Sequence, residues 1–163
     1  MTVKKNEKKI LDFIREGRNT LADFTDNLGI SAAEVNKIAE EMEINGYIVK
    51  EDYVGINSFN FLLTDKGVEE LSQLSEEEKD LLTTEGINLN QFKVLTYLTG
   101  KEEMIAATVA QELEIPPMEL ISDLCYLVNK GLIQETGLLR RKISILPKGN
   151  ELVERRKAKV NSL

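Results

Sequence analysis

LGISAAEVNKIAEEMEINGYIVKE (residues 28–51) holds a tight turn, a helix and the start of a strand in succession. Gly29 supplies the positive φ that a tight turn needs. Ser31 and Glu34 form an S-x-x-E capping box that opens a helix over residues 31–46. Val35, Ile38, Ala39 and Met42 recur at helical spacing as its inward stripe, and Gly46 closes it. The outward face carries Ala33, Asn36, Lys37, Glu40 and Glu41. Glu34, Glu40, Glu41 and Glu43 stand against the single Lys37. The layout is that of a helix presented to a partner, but its charge is unfavourable for a polyanion.

Working outward, residues 4–16 place Ile10, Leu11, Phe13 and Ile14 on one helical face, ended by Gly17. Residues 20–28 give a second short helix with Leu21, Phe24 and Leu28 inward. Downstream, YIVKEDYV (47–54) and SFNFLLT (58–64) are β-rich runs joined by Gly55-Ile56-Asn57, a hairpin signal. Thr64-Asp65-Lys66-Gly67 then starts a last helix, with Val68, Leu71 and Leu74 inward.

This order returns later in the chain. LEIPPMELISDLCYLVNKGLIQET (113–136) lies over the opening stretch, matching Leu28 with Leu113, Ile30 with Ile115, Met42 with Leu127 and Gly46 with Gly131. ISILPKGNELV (143–153) answers FLLTDKGVEEL (61–71). In this second copy NLNQ (88–91) caps a helix with Phe92, Val94, Leu95 and Leu98. Residues 104–113 make the short helix, and Pro117 takes the first position of the next, where proline is best tolerated. LIQETGL and RKISIL form the hairpin, and residues 148–160 a closing helix. The sequence predicts an N-terminal domain over residues 1–75 and a C-terminal domain with a basic tail over 88–163. Residues 76–87 form a connector, and SEEEKDLL (75–82) extends the fourth helix as a polar run.

Composition narrows the chemistry. The net charge is −7 and the pI is near 4.8, a sign that opposes unspecific attraction to phosphate backbones. Histidine is absent, which removes the commonest general base and metal ligand. Cys125 is the only cysteine, so one chain offers neither an intramolecular disulfide nor a thiolate metal cluster. No glycine-rich phosphate loop is present, and the carboxylates fall on helix faces. Catalysis, a metal and a cofactor are not expected. No apolar run approaches the roughly 18 residues of a membrane span, and the amphipathic start is no signal peptide. A reducing cytoplasm fits.

Helix, helix, helix, two-stranded wing, helix is the winged helix-turn-helix order. The fold class is therefore α+β, mainly α, with two tandem winged helix-turn-helix modules. NGYIVKE followed by a hairpin ending LLTDKG resembles the MarR/PadR-like winged-helix superfamily, and ISILPKG is a degenerate form of the second signal. That resemblance implies a DNA-binding transcriptional regulator, with double-stranded DNA as partner and a homodimer as the assembly. The alternative is an acidic scaffold of tandem winged helices that binds protein. The doubled winged helices of the bacterial condensin accessory subunit and of ESCRT-II are of that kind.

Candidate DNA contacts are Ala33, Asn36 and Lys37, because asparagine pairs with adenine and lysine reaches guanine or phosphate. Residues 140–159 are net +6, and the rest of the chain is net −13. Arg140, Arg141 and Lys142 fall beside the second wing's turn, and Arg155 and Arg156 in the C-terminal tail. These cations suit phosphate, or an acidic protein partner. On the helix of the second copy, Ile121, Cys125 and Val128 replace Asn36, Glu40 and Glu43 as one apolar stripe. A helix apolar on both sides is expected to be covered on both, by the other module, a dimer mate or another protein. In that setting Cys125 is a small buried hydrophobe. A shifted register of the repeat is the alternative.

Overall fold

The structure is a computed structural model, describing residues 3–52, 59–137 and 140–161. The chain divides into two compact units, Met1–Asn88 and Leu89–Leu163. Each is described by itself.

The first unit runs α1 (Lys5–Arg15), α2 (Leu21–Leu28), α3 (Ala32–Ile44), β1 (Ile48–Asp52), β2 (Phe59–Leu63), α4 (Asp65–Glu69) and α5 (Glu76–Asp80). A π-helical turn, Leu81–Glu85, follows. The start of α2 is fixed reciprocally: the Thr20 hydroxyl accepts the Asp23 N–H, and the Asp23 carboxylate accepts the Thr20 N–H, both at 3.1 Å. At α3 the Ser31 hydroxyl accepts the Glu34 N–H at 3.2 Å, so the Ser31 half of the expected box forms. Gly29 between them adopts φ +66°. The core gathers Ile10, Leu11 and Ile14 of α1, Phe24 of α2, Val35, Ala39 and Met42 of α3, and Ile48, Phe61 and Leu63 of the hairpin. The Phe24 and Phe61 rings lie 5.6 Å apart.

β1 and β2 pair antiparallel, from Ile48 opposite Leu63 to Asp52 opposite Phe59. The Gly55-Ile56-Asn57 tip expected to join them lies outside the described residues. Asn19 occupies the other edge of β2. Its carbonyl accepts the Phe61 N–H at 2.8 Å, and its amide donates to the Phe61 carbonyl at 3.1 Å. One buried asparagine thus does the hydrogen bonding of a third strand.

The last helix of this unit differs from expectation. α4 ends at Glu69, and Gln73 adopts φ 60°. Ser75 then caps a separate helix, its hydroxyl accepting the Glu78 N–H at 3.1 Å. Residues 75–82 are therefore not an extension of the fourth helix. Leu82 joins the first core, and buried Glu78 receives Arg15 through Nε at 3.1 Å and Nη2 at 3.3 Å. A polar segment becomes integral because its charge is paired and its leucines are buried.

The second unit runs α6 (Leu89–Leu98), β3 (Met104–Ile105), α7 (Ala106–Leu113), α8 (Pro117–Asn129), β4 (Ile133–Thr136), β5 (Lys142–Ile145) and α9 (Pro147–Asn161). Its sheet has the order β3-β5-β4, with Met104 opposite Ile143 and Ile133 opposite Ile145. Residues 104 and 105, expected to be helical, are strand because the β5 edge pairs with them. α7 ends in a left-handed residue as α2 does, but here it is Glu114, at φ 54°. α9 stays helical through Arg155–Lys159, as the closing helix expected over residues 148–160 requires, so the basic tail residues lie on a helix.

Both units close the same way. A Cβ on Gly67 would overlap the Tyr47 carbonyl oxygen, and a Cβ on Gly149 would overlap that of Leu132. The preceding lysines cap the helix on the far side of that contact. Lys66 Nζ donates to the Asn45 carbonyl at 2.7 Å, and Lys148 Nζ to the Lys130 carbonyl at 3.0 Å. These carbonyls stand at the C-caps of α3 and α8, where a cation also suits the helix dipole.

One polar pair is buried in the second unit. Gln91 Nε2 donates to Asp123 Oδ1 at 3.3 Å, and each residue is almost fully enclosed. Burial pushes the Asp123 carboxyl up to about 7; the Gln91 hydrogen bond opposes this, and the Glu119 charge adds to it.

Two outcomes follow from this packing. Gly67→Ala and Gly149→Ala should each lower stability by about 1–3 kcal/mol, the usual cost of overpacking, read as a lower urea midpoint. Asp123 holds its proton more tightly folded than unfolded. Its contribution is therefore greatest below the usual aspartate range and is lost as pH rises from about 4 towards about 7. Asp123→Asn should remove that fall, so the difference in unfolding free energy between variant and wild type should grow from pH 4 to pH 8. A difference that stays flat with pH would contradict it.

Candidate functional site

The candidate surfaces are the outward faces of α3 and α8, the cations beside the second wing, and the end of α9. On α3, the turn at Gly29 and the Ser31 cap set the helix entry, and the inward stripe fixes its rotation. Ala33, Asn36, Lys37 and Glu40 are then exposed on one face, and Glu41 is half-buried. Lys37 has no ion pair among the described residues. Glu43 faces Lys50 of β1 at 3.5 Å, so one of the four acids is partly offset by the wing. Ile44, at the end of α3, is 83% exposed.

α8 is built differently. Leu120, Leu124 and Leu127 point inward and are buried, together with Asp123 and Tyr126. On the outward side Ile121 is 42% exposed, Cys125 is exposed and Val128 is half-buried. Cys125 is therefore not the buried hydrophobe that the sequence suggested. Met118, one turn before Ile121, is 77% exposed and extends the same face. The sequence reading passed over Met118, although its spacing of three residues from Ile121 carries the signal.

Arg140, Arg141 and Lys142 are exposed beside the wing turn. Gly137 is obligatory there: it has φ +92°, and a Cβ would overlap the Arg140 carbonyl oxygen. Arg141 is committed within the wing. Its Nε and Nη2 both donate to the Glu135 carboxylate, the second at 3.2 Å, and its carbonyl accepts the Ala106 N–H at 2.9 Å. The Glu135 hydrogen bond holds its guanidinium more firmly charged, against slight desolvation, with smaller contributions from the Glu135 and Cys125 charges. No ion pair of Arg140 or Lys142 occurs among the described residues.

The end of α9 offers less than the sequence suggested. Arg156 is buried at 7% exposure, and both Arg155 and Arg156 already have interaction partners. Lys157 faces Glu154 at 3.9 Å. The exposed wing cations are the stronger candidates for phosphate contact. Among the described residues no group of three or more Cys, Asp or Glu side chains is placed to hold a metal ion, and no helix is long and apolar enough to cross a membrane.

No protein-family model matches the chain, and no curated protein matches it. Solved structures do. A MarR family transcriptional regulator from Streptomyces coelicolor is 21% identical, over 48% of this chain and 57% of that one, with a TM-score of 0.45. One from Silicibacter pomeroyi is 17% identical over the same shares, at 0.43. A MarR family regulator from Neisseria meningitidis is 15% identical, over 85% of this chain and 72% of that one, at 0.41. The chain thus spans 57% of the length of the first two structures.

Proposed function

We propose that this chain is a winged-helix DNA-binding transcriptional regulator, with α3 of the first unit as its reading helix and the second wing as a phosphate contact. The observation that carries this reading is the uncovered face of α3, with Asn36 and Lys37 both exposed and Lys37 unpaired among the described residues. Asparagine has the donor and acceptor pair that adenine presents in the major groove, and lysine reaches guanine or a phosphate. Arg140 and Lys142 supply positive charge at a wing, where backbone contacts set register. The net charge of −7 opposes unspecific attraction, so binding depends on these few local contacts and weakens readily with salt.

A second reading, a protein-binding scaffold, is favoured by the exposure of Ile121 and Cys125 on the corresponding helix of the second unit. An apolar face there cannot pair with base edges or phosphates, and it suits another protein surface.

Fluorescence anisotropy on genomic duplex fragments from about 50 to 200 mM salt separates the two. The regulator reading expects affinity that falls steeply with salt. Lys37→Ala should reduce the salt slope by about one, and Asn36→Ala should cost about 1–3 kcal/mol at a single base position. Arg140→Glu/Lys142→Glu should abolish binding. A chain that binds no fragment at the lowest salt is not a DNA-binding regulator, and the scaffold reading then stands.

A further inference from the structure

The outward face of α3 places an acid where a reading helix meets base edges. Glu40 lies four residues after Asn36 and three after Lys37, so it stands one turn further along and angularly between them. Ala33 holds the mirrored place one turn earlier. All four are exposed, which puts Glu40 on the midline of the face. The neighbouring acids are placed otherwise. Glu34 and Glu41 fall on the flank beyond Lys37, with Glu41 half-buried, and Glu43 faces Lys50 at 3.5 Å. No ion pair of Glu40 occurs among the described residues.

A carboxylate carried into the major groove is repelled by the phosphates on either side. It is repelled also by the acceptors of guanine and thymine, and adenine sets an acceptor beside its single donor group. Cytosine alone presents only a donor, its N4 amine, and so can offset the charge. Residues one turn apart on a groove-bound helix reach successive base pairs, so Glu40 meets the pair next to the one that Asn36 reads. We propose that Glu40 selects cytosine at that position, beside the adenine read by Asn36. This rests on the DNA-binding reading of α3 and names the base class that the helix prefers. The same carboxylate turns away duplexes without cytosine there, because its repulsion is then left uncompensated. An acid on the reading helix thereby lowers affinity for DNA in general while sharpening the choice of site.

Duplexes with a randomised centre, selected on the full chain at fixed low salt and then sequenced, test this. The wild type should recover cytosine beside adenine. Glu40→Gln keeps the shape and removes the charge, and glutamine pairs with adenine. Preference at that one base pair should therefore move from cytosine to adenine, with the Asn36 position unchanged. By anisotropy the variant should lose at least about fivefold in affinity on the cytosine duplex, and should gain on a duplex of unrelated sequence. Its circular dichroism should match the wild type, because Glu40 is exposed. A uniform gain on every duplex with no change of preferred base overturns the proposal: Glu40 is then a solvated acid, and the DNA-binding reading survives. So does a wild-type site with no cytosine beside the adenine. A wild-type chain that recovers no duplex overturns the DNA-binding reading and the base choice together.

Discussion

A glycine pressed against a backbone carbonyl fixes the geometry of each unit. Gly67 meets the Tyr47 carbonyl and Gly149 that of Leu132, and any side chain at either position would force the two segments apart. The contact joins the helix after the hairpin to the residue where the chain leaves α3 or α8. Around it, Thr64 donates through its hydroxyl to the Gly46 and Tyr47 carbonyls at 2.5 and 3.0 Å, and accepts the Gly67 N–H. Lys66 and Lys148 close the far side by satisfying C-cap carbonyls that would otherwise need water. The helix after each hairpin is therefore held by backbone contact against the residue that follows α3 or α8, a contact in which the outward residues of α3 and α8 take no part.

Those outward residues have diverged in opposite directions. α3 shows water Asn36, Lys37 and acids; α8 shows Met118, Ile121 and Cys125. Both inner faces are alike, Val35, Ala39 and Met42 in one and Leu120, Leu124 and Leu127 in the other. Core packing constrains the inner stripe in each case, whereas the outer stripe answers only to its partner. A polar helix and an apolar helix on one scaffold suit partners of different chemistry.

Much of the architecture was legible because strong local signals agree with it. Period-3.6 apolar stripes located α1, α3, α6 and α8, and the turn glycine at 29 and Pro117 marked helix boundaries. The misreadings share a cause. β3 is two residues long, too short for any period, and exists because β5 offers it an edge. The break between α4 and α5 depends on Gln73 in a left-handed conformation, which no residue type announces. Arg156 counts as a surface cation in sequence, yet it lies on a buried side of α9. For the candidate site, the exposure of Ala33, Asn36 and Lys37 was legible from the inward stripe alone. The exposure of Cys125 was not, because an apolar residue on an apolar helix carries no mark of which side lies uncovered.

The sequence by itself determined the longer helices, the rotation of α3 and the sign of the net charge, since each can be read along the chain. Only the tertiary structure decided that Asn19 stands in for a strand, that Glu78 is drawn in to Arg15, and that burial beside Gln91 pushes the Asp123 carboxyl up. It also decided that Met118, Ile121 and Cys125 on α8 are exposed. These are contacts between residues distant in sequence, and their energies arise from burial and pairing that exist only once the segments have packed.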